Sequence, residues 1–211
     1  MTTHNHDHAN PYHESDRDEA TNKAMADRVD KMEALLLEKG LVSQGALDKL
    51  ADTYENDLGP MNGAKVVARA WVDPEFKKRL LKDATSAIAE LGYGGLQGEH
   101  MVAKENTSDL HNVVVCTLCS CYPWPLLGLP PNWYKSFAYR SKIVIEPREV
   151  LAEFGTTLSD DVEVRVWDSS AEIRYLVIPE QPEGTGNLSE SELAEIIERD
   201  SMIGVTKVSA P

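Results

Sequence analysis

Three cysteines within six residues constrain this chain more than any other feature of its sequence. They are Cys116, Cys119 and Cys121, and the chain of 211 residues has no others. A disulfide framework in a secreted protein has an even number of cysteines, spread out so that they close long loops. This set is neither even nor spread out. We therefore expect reduced thiols and a cytoplasmic chain, where clustered cysteines serve metal or redox chemistry.

The spacing of these cysteines predicts a tight loop, here called the cysteine claw (residues 116–121). Thiolates at its first, fourth and sixth positions cannot converge along a regular helix face or a flat strand. The three valines at 113–115 predict a buried strand ending at the claw, and the carboxyl end of a strand is a common place for a site. The prolines and aromatic rings at 122–125 predict a rigid exit that excludes water.

Several kinds of site are compatible with three clustered thiols. A zinc site would need a fourth ligand such as His111 or His100, yet structural zinc usually takes two paired ligand sets. An iron-sulfur cluster would lack its fourth thiolate, and three cysteines could also simply pack in the core. Alternatively, the amide nitrogens of Ser120 and Cys121 join the three sulfurs and fill five corners of an octahedron. Deprotonated amides demand a trivalent ion such as cobalt or iron, and the open sixth corner would be the place of catalysis.

Composition excludes other classes of function. With 42% apolar residues, the chain is long enough for one sizeable domain and a modest extension. Its formal charge of −14 repels nucleic acids and anionic lipids, so we expect neither as a partner. The uncharged stretch 113–134 could span a bilayer in length, but its four prolines would break the helix. The N-terminus lacks the basic start and apolar core of a secretory signal, which also favours the cytoplasm.

The chain divides into three predicted regions. Residues 1–22 are polar and carry four histidines, which predicts a mobile tail or, alternatively, a metal-scavenging arm. Residues 23–92 follow a helical rhythm. Helices are predicted from Ala24 to Gly40, from a cap at Ser43 to 59–60, over 63–72, and from a cap at Asp73 through Leu91.

After Gly92 the pattern changes to a mixture of strands and helices. Runs rich in β-branched residues predict strands at 113–115, 143–145, 162–167 and 173–178. Helices are predicted at 147–154 and 189–199, the second with a capping box formed by Ser189 and Glu192. Residues 93–211 therefore predict an α+β domain, and the helical-then-mixed order defines the fold class.

The residues around the claw resemble a known family. The segment Val115-Cys116-Thr117-Leu118-Cys119-Ser120-Cys121-Tyr122-Pro123-Trp124-Pro125, continuing through 127–131 and 133–135, resembles the metal-binding signature of the nitrile hydratase α subunit. The similarity begins at Leu35, includes 62–67, 70–74, 165–168 and 199–204, and covers nearly all but the tail. It implies a layered α/β/β/α domain with mixed sheets, preceded by a helical arm (23–92) that wraps a partner.

The resemblance implies an enzyme that hydrates small nitriles to amides at one non-haem Co(III) or Fe(III) ion. Its metal ligands would be Cys116 as a thiolate, Cys119 as a sulfinate, Cys121 as a sulfenate, and the amides of Ser120 and Cys121. Thr117 and Tyr122 resemble the cobalt-type version. The implied partners are a β subunit, in an αβ heterodimer or a heterotetramer, and a metal-insertion activator protein.

The resemblance also implies a set of residues near the reacting atoms. Cys121 and Ser120 belong to the claw itself, and Gln97, Trp124, Asp168 and Glu172 match family positions beside it. On their own, Asp168 and Glu172 are more typical of a solvated turn after a strand than of a site. Few basic residues stand near the claw before Lys135 and Arg140, so we expect a partner to supply arginines to the oxidised sulfurs.

Two other functions stay open at the level of sequence. The metal-bearing subunit of a thiocyanate hydrolase has a nearly identical claw and would release carbonyl sulfide. A non-catalytic zinc module or metal carrier would use the same thiols without turnover.

Overall fold

The N-terminal part of the chain is helical, as its spacing predicts. The computed structural model describes residues 19–53, 58–95 and 100–211. Its first helices are α1 (Glu19–Glu38), α2 (Gln44–Asp52), α3 (Pro60–Val72), α4 (Pro74–Lys82) and α5 (Ala84–Glu90). The predicted cap at Ser43 is confirmed, since its hydroxyl accepts the Ala46 N–H at 3.3 Å. The prediction for residues 1–18 lies outside the described residues.

One predicted helix is in fact two. The helix expected from Asp73 through Leu91 stops at Lys82, and Asp83 separates α4 from α5. The Asp83 carboxylate accepts the Ser86 N–H at 3.1 Å and the Ser86 hydroxyl at 2.7 Å. An aspartate side chain that caps the following turn competes with the helical bonds of the preceding one.

The strands form two parallel pairs. These are β1 (Met101–Glu105) with β4 (Arg174–Ile178), and β2 (Leu110–Val115) with β3 (Glu163–Asp168). The α+β class is confirmed. Both strand pairs are parallel, and the antiparallel pairing expected of mixed sheets is confined, within the described residues, to one isolated bridge between Thr107 and Leu110. Strand β1 was not predicted, because Met-Val-Ala-Lys-Glu has no run of β-branched residues.

Short helices connect and cover the strands. They are α6 (Trp124–Leu127), α7 (Asn132–Lys135), α8 (Phe137–Lys142), α9 (Pro147–Glu153), α10 (Glu190–Ile196) and α11 (Arg199–Ile203). The predicted capping box of Ser189 and Glu192 opens α10. The strand predicted at 143–145 is wrong: Ile143 donates its N–H to Tyr139 O at 3.0 Å and closes the last turn of α8. Only Ile143 of that run is buried, and a run of β-branched residues does not by itself form a strand.

The core lies between α3 and the strands. Helix α3 packs against α6, α10 and α11, while α4 and α5 contact β1 and α9 contacts β3. Strand β2 also contacts β4, which places the two strand pairs together with helices on both sides. This arrangement buries β2 from His111 to Val115 and fixes the point at which the claw begins.

The two N-terminal helices are exposed. No residue of α2 is buried, and α1 displays large apolar side chains to solvent: Met25, Val29, Met32, Leu35 and Leu36. No helix in the described ranges has the length and apolar character needed to cross a membrane.

Candidate metal centre

The three cysteine sulfurs converge at the carboxyl end of β2. Cys116 follows Val115 directly and is fully buried, Cys121 is 8% exposed, and Cys119 is exposed. The Sγ atoms lie 3.4 Å apart for Cys116 and Cys119, and 3.1 Å apart for Cys119 and Cys121. All three lie within 4.8 Å of one another, so the predicted claw forms and could hold one metal ion.

Backbone amides face the same centre. The Cys119 N–H donates to Cys116 Sγ at 3.3 Å. Hydrogen bonds from the amides of Ser120 and Cys121 contribute to the lowered pKa of the Cys119 thiol. The two amide nitrogens named from the sequence therefore lie on the sulfur side of the loop.

The thiols cannot all carry negative charge without a cation. A hydrogen bond from the Cys121 thiol lowers the pKa of Cys119. Burial raises the pKa of Cys121, and the hydrogen bond with Cys119 and the charge of Cys116 raise it further. The Cys121 thiol therefore keeps its proton to a higher pH than the Cys119 thiol. A bound cation would displace that proton, and soft sulfur donors beside amide nitrogens suit a transition metal. The donor set therefore fits the implied ion.

A carboxylate from the neighbouring strand holds the first turn of the claw. Asp168 ends β3 and pairs in register with Val115. Its Oδ1 accepts the Thr117 N–H at 2.9 Å and its Oδ2 accepts the Thr117 hydroxyl at 2.5 Å. Asp168 is exposed to solvent, yet both of its oxygens bind Thr117 and so attach it to the claw.

The other predicted site residues are distributed unevenly. Ser120 is half-buried within the claw, and Trp124, the first residue of α6, is half-buried three positions after Cys121. Glu172 is exposed in the turn before β4, where its N–H donates to Ser170 Oγ at 3.2 Å. No hydrogen bond or ion pair joins its side chain to the claw in the described part of the chain. Gln97 lies outside the described residues.

The histidines considered as a fourth zinc ligand do not approach the sulfurs. His111 lies near the start of β2, with Nε2 2.7 Å from Gly204 O and Nδ1 3.3 Å from Asn106 Nδ2. His100 is exposed just before β1. Within the described residues the cluster contains cysteines only, which removes the basis for a four-ligand zinc knot.

Three side chains that were not predicted as site residues contact the claw or its ends. Arg140 of α8 places Nη1 3.4 Å from Cys119 O and 3.5 Å from Thr117 O. Tyr134 donates its hydroxyl to Cys121 O at 3.0 Å, and Tyr139 donates its hydroxyl to Val114 O at 2.8 Å. These contacts span 13 to 25 residues and leave no signal in the local pattern.

Comparisons with known proteins agree with the geometry. A family model described as nitrile hydratase, alpha chain, matches residues 23–206. The low-molecular-weight cobalt-containing nitrile hydratase subunit alpha of Rhodococcus rhodochrous is 61% identical over 191 residues, covering 90% of this chain and 92% of the relative. The thiocyanate hydrolase subunit gamma of Thiobacillus thioparus is 43% identical over 183 residues, covering 81% and 74%.

A solved structure has the same fold. It is a double mutant of the iron-type nitrile hydratase from Comamonas testosteroni Ni1, which superposes with a TM-score of 0.85 at 43% identity. The match covers 90% of this chain and 93% of that chain.

Proposed function

This chain belongs to the family of nitrile hydratase alpha chains, and from that premise we propose that its claw holds the metal ion at which nitriles are hydrated to amides. The observation that carries the proposal is the convergence of three cysteine sulfurs within 4.8 Å at the end of a buried strand. Cys116 and Cys121 belong to the buried core, but core packing does not require the exposed Cys119 to lie 3.1 to 3.4 Å from both of them.

We propose cobalt in its trivalent state as the ion, with iron as the alternative. Thr117 and Tyr122 resemble the cobalt-type pattern, and the Rhodococcus relative is described as cobalt-containing. Its ligands would be Cys116, Cys119, Cys121 and the amides of Ser120 and Cys121. When bound, the ion supplies Lewis acidity that draws electrons from the nitrile carbon.

The protein's own residues would supply the rest of the chemistry. We propose that Cys119 is oxidised to a sulfinate and Cys121 to a sulfenate, with dioxygen or peroxide as the oxidant and source of oxygen atoms, once a bound cation has displaced the thiol protons and made both sulfurs thiolates. Either a water beside the Cys121 sulfenate would add its oxygen to the nitrile carbon, or the sulfenate oxygen would add first and a water would then cleave the S–O bond, releasing the product and restoring the sulfenate. In both routes the nitrogen gains the two protons of the water, and the imidate tautomerises to the amide. The Ser120 hydroxyl would contact the reacting atoms and Trp124 would form an apolar wall, while Gln97 is included because it matches a family position beside the site. Asp168 orients the claw, while Glu172 would act from a greater distance.

The complete site needs a β subunit. Within the helical region 23–92, α3 to α5 pack in the core, and we propose that the exposed α1 and α2 wrap this partner through the apolar side chains of α1. In the described hydrogen bonds Arg140 is the one arginine that reaches the claw, and the charge of Arg174 also acts on Cys121, so the partner would supply further arginines to the sulfur oxygens. We also propose that a metal-insertion activator protein loads the ion and that the complex is cytoplasmic. Residues 1–22 would form a separate polar tail.

Metal analysis and mass spectrometry test the proposal. The full chain is produced with its β subunit in medium containing cobalt, and we expect one cobalt per chain and a mass increase of about three oxygens. Zinc bound to cysteines of unmodified mass would overturn it in favour of the non-catalytic metal module.

A substrate assay separates the enzymatic alternatives. We expect amide formation from a small nitrile. Release of carbonyl sulfide from thiocyanate, without amide formation, would instead identify the chain with the thiocyanate hydrolases, whose subunit gamma is 43% identical to it.

A further inference from the structure

Two buried tyrosine hydroxyls hold the two ends of the claw. Tyr139 donates to the carbonyl of Val114, two residues before Cys116, and Tyr134 donates to the carbonyl of Cys121. Both tyrosines are fully buried, although each has a polar atom that needs a partner. The pair therefore connects α7 and α8 to the entry and the exit of the same loop.

The geometry of β2 explains why the Val114 carbonyl is available to accept a hydrogen bond from a side chain. The Ser169 N–H donates to Val115 O at 2.7 Å, so the Val115 carbonyl faces β3. Successive carbonyls of a strand point to opposite edges, and that of Val114 therefore faces away from β3. Tyr139 satisfies this otherwise open edge immediately before the claw.

Aromatic packing fixes where the two hydroxyls can be. The Tyr134 ring lies 5.1 Å from that of Tyr122, and the Tyr139 ring lies 4.9 Å from that of Trp133, both in edge arrangements. Trp133 in turn meets Phe154 at 4.8 Å. A cluster packed in this way has few alternative rotamers, so the hydroxyls act as fixed points.

Arg140 extends the same support to the middle of the claw. Its guanidinium lies beside the carbonyl oxygens of Cys119 and Thr117. In a trans peptide the carbonyl and the following N–H point in opposite directions. Drawing the Cys119 carbonyl toward Arg140 therefore turns the Ser120 N–H toward the sulfurs.

We infer that Tyr134, Tyr139 and Arg140 are positioning residues that set the claw in its metal-binding geometry before any metal arrives. They touch neither substrate nor metal, and act through the carbonyls of Val114, Thr117, Cys119 and Cys121. The part of this inference that concerns the metal rests on the proposed function. The part that concerns the shape of the metal-free loop does not.

Hydrogen exchange in the metal-free full chain tests the preorganisation directly. The variants are Tyr134→Phe and Tyr139→Phe, each of which removes one hydroxyl, and Arg140→Gln at a half-buried position. We expect amides of residues 116–122 to exchange at least about tenfold faster in each variant, while β3 and β4 keep their protection. Unchanged exchange at the claw in the folded variants would overturn the inference.

Matched controls separate this effect from general loosening. Tyr175→Phe removes a hydroxyl from a tyrosine of β4 that stacks on Trp167, and Arg148→Gln removes a guanidinium that binds the carbonyls of Leu158 and Ser159. Neither control should change exchange at the claw. An equal change in the controls would also count against the inference. Should a tyrosine variant not fold, Arg140→Gln still decides the outcome.

Cobalt release gives the second readout. In the complex with the β subunit, the three variants should lose cobalt to a chelator about tenfold faster than the wild type, as expected when outer support of metal ligands is removed. The sulfur-to-cobalt absorption band should also shift. A wild type that binds neither cobalt nor iron would refute the proposed function, whereas wild-type release rates and spectra in all three variants would refute only the positioning role in the metal-bound state.

Discussion

At the scale of single residues, one carboxylate connects two distant parts of the chain. Asp168 binds Thr117, which lies 51 residues earlier, through both of its oxygens. The parallel register of β2 and β3 brings the two together, since Val115 and Asp168 are directly paired. A short side chain can therefore reach the claw without any loop rearrangement.

Replacing this carboxylate should loosen the centre. In Asp168→Asn one acceptor becomes a donor that faces the Thr117 N–H or hydroxyl, and we expect cobalt retention and amide formation to fall about tenfold. Metal analysis and initial rates measure the change. The matched control is Asp109→Asn, which alters an exposed aspartate bonded to Thr107 in the β1–β2 turn. If Asp168→Asn behaved like this control, the role of Asp168 would be refuted.

The buried histidine makes stability depend on pH. Because Asn106 Nδ2 can only donate, His111 Nδ1 accepts and its Nε2–H donates to Gly204 O, which selects the neutral ring. Burial lowers the pKa of His111 below its ordinary value, even though the bond to Gly204 opposes the shift. Its contribution to stability is therefore complete above the unfolded-state pKa of about 6.5, and is lost as the pH falls toward the lower folded-state pKa.

Urea unfolding at several pH values tests this dependence. Between about pH 7 and pH 5 the wild type should lose stability. The variant His111→Gln should be less stable at pH 7 and should lose less over that interval. His100→Gln, at an exposed position, should keep the wild-type slope. Parallel pH profiles for the wild type and His111→Gln would contradict the assignment.

At the scale of elements, caps decide where helices begin. Asp83 divides what its apolar spacing suggests is one helix, and the capping box at Ser189 opens α10 against α3. These side chains satisfy N–H groups that the first turn of a helix leaves without partners.

Removing the cap of α10 should destabilise the fold modestly. Ser189→Ala is expected to lower the free energy of unfolding by about 1 kcal/mol, because the Glu192 N–H loses its acceptor. The midpoint of urea unfolding measures it. Ser141→Ala serves as the control, since that hydroxyl bonds back to the carbonyls of its own helix, and its effect should stay within about 0.5 kcal/mol. Equal losses in the two variants would show that the box does not stabilise α10.

At the scale of the whole molecule, the C-terminal end of the chain is packed onto β2. Gly204 follows α11 at φ +91°, and a Cβ atom there would lie 2.0 Å from Asn112 O. The same glycine presents its carbonyl to His111. The strand that leads into the claw is thus held by a segment more than ninety residues further along the chain.

A pair of glycine substitutions isolates that close approach. Gly155 has a similar φ of +83° but open space around the position of its missing Cβ. Gly155→Ala should therefore cost only the backbone strain, about 1–2 kcal/mol. Gly204→Ala should cost that amount and about 1–3 kcal/mol more for the clash, seen as a lower yield of folded protein and a lower urea midpoint. Equal losses in both variants would mean that α11 can move away from β2 without penalty.

The sequence by itself determined the cysteine cluster and the helical-then-mixed order of the chain. Three cysteines spaced over six residues leave few loop geometries, and caps such as Ser43 and Ser189 act within three residues, so local pattern suffices for them. The local pattern predicted a strand at 143–145 that does not form, and it missed β1. At both places burial rather than composition decides between a turn and a strand.

Only the tertiary structure decided what surrounds the claw. Strand register places Asp168 beside Thr117 and leaves Glu172 in an exposed turn, although the two carboxylates look alike in sequence. Packing of α7 and α8 places Tyr134, Tyr139 and Arg140 against its carbonyls. Such contacts join residues that are far apart along the chain, and their energy depends on a burial and an orientation that no neighbouring residue encodes.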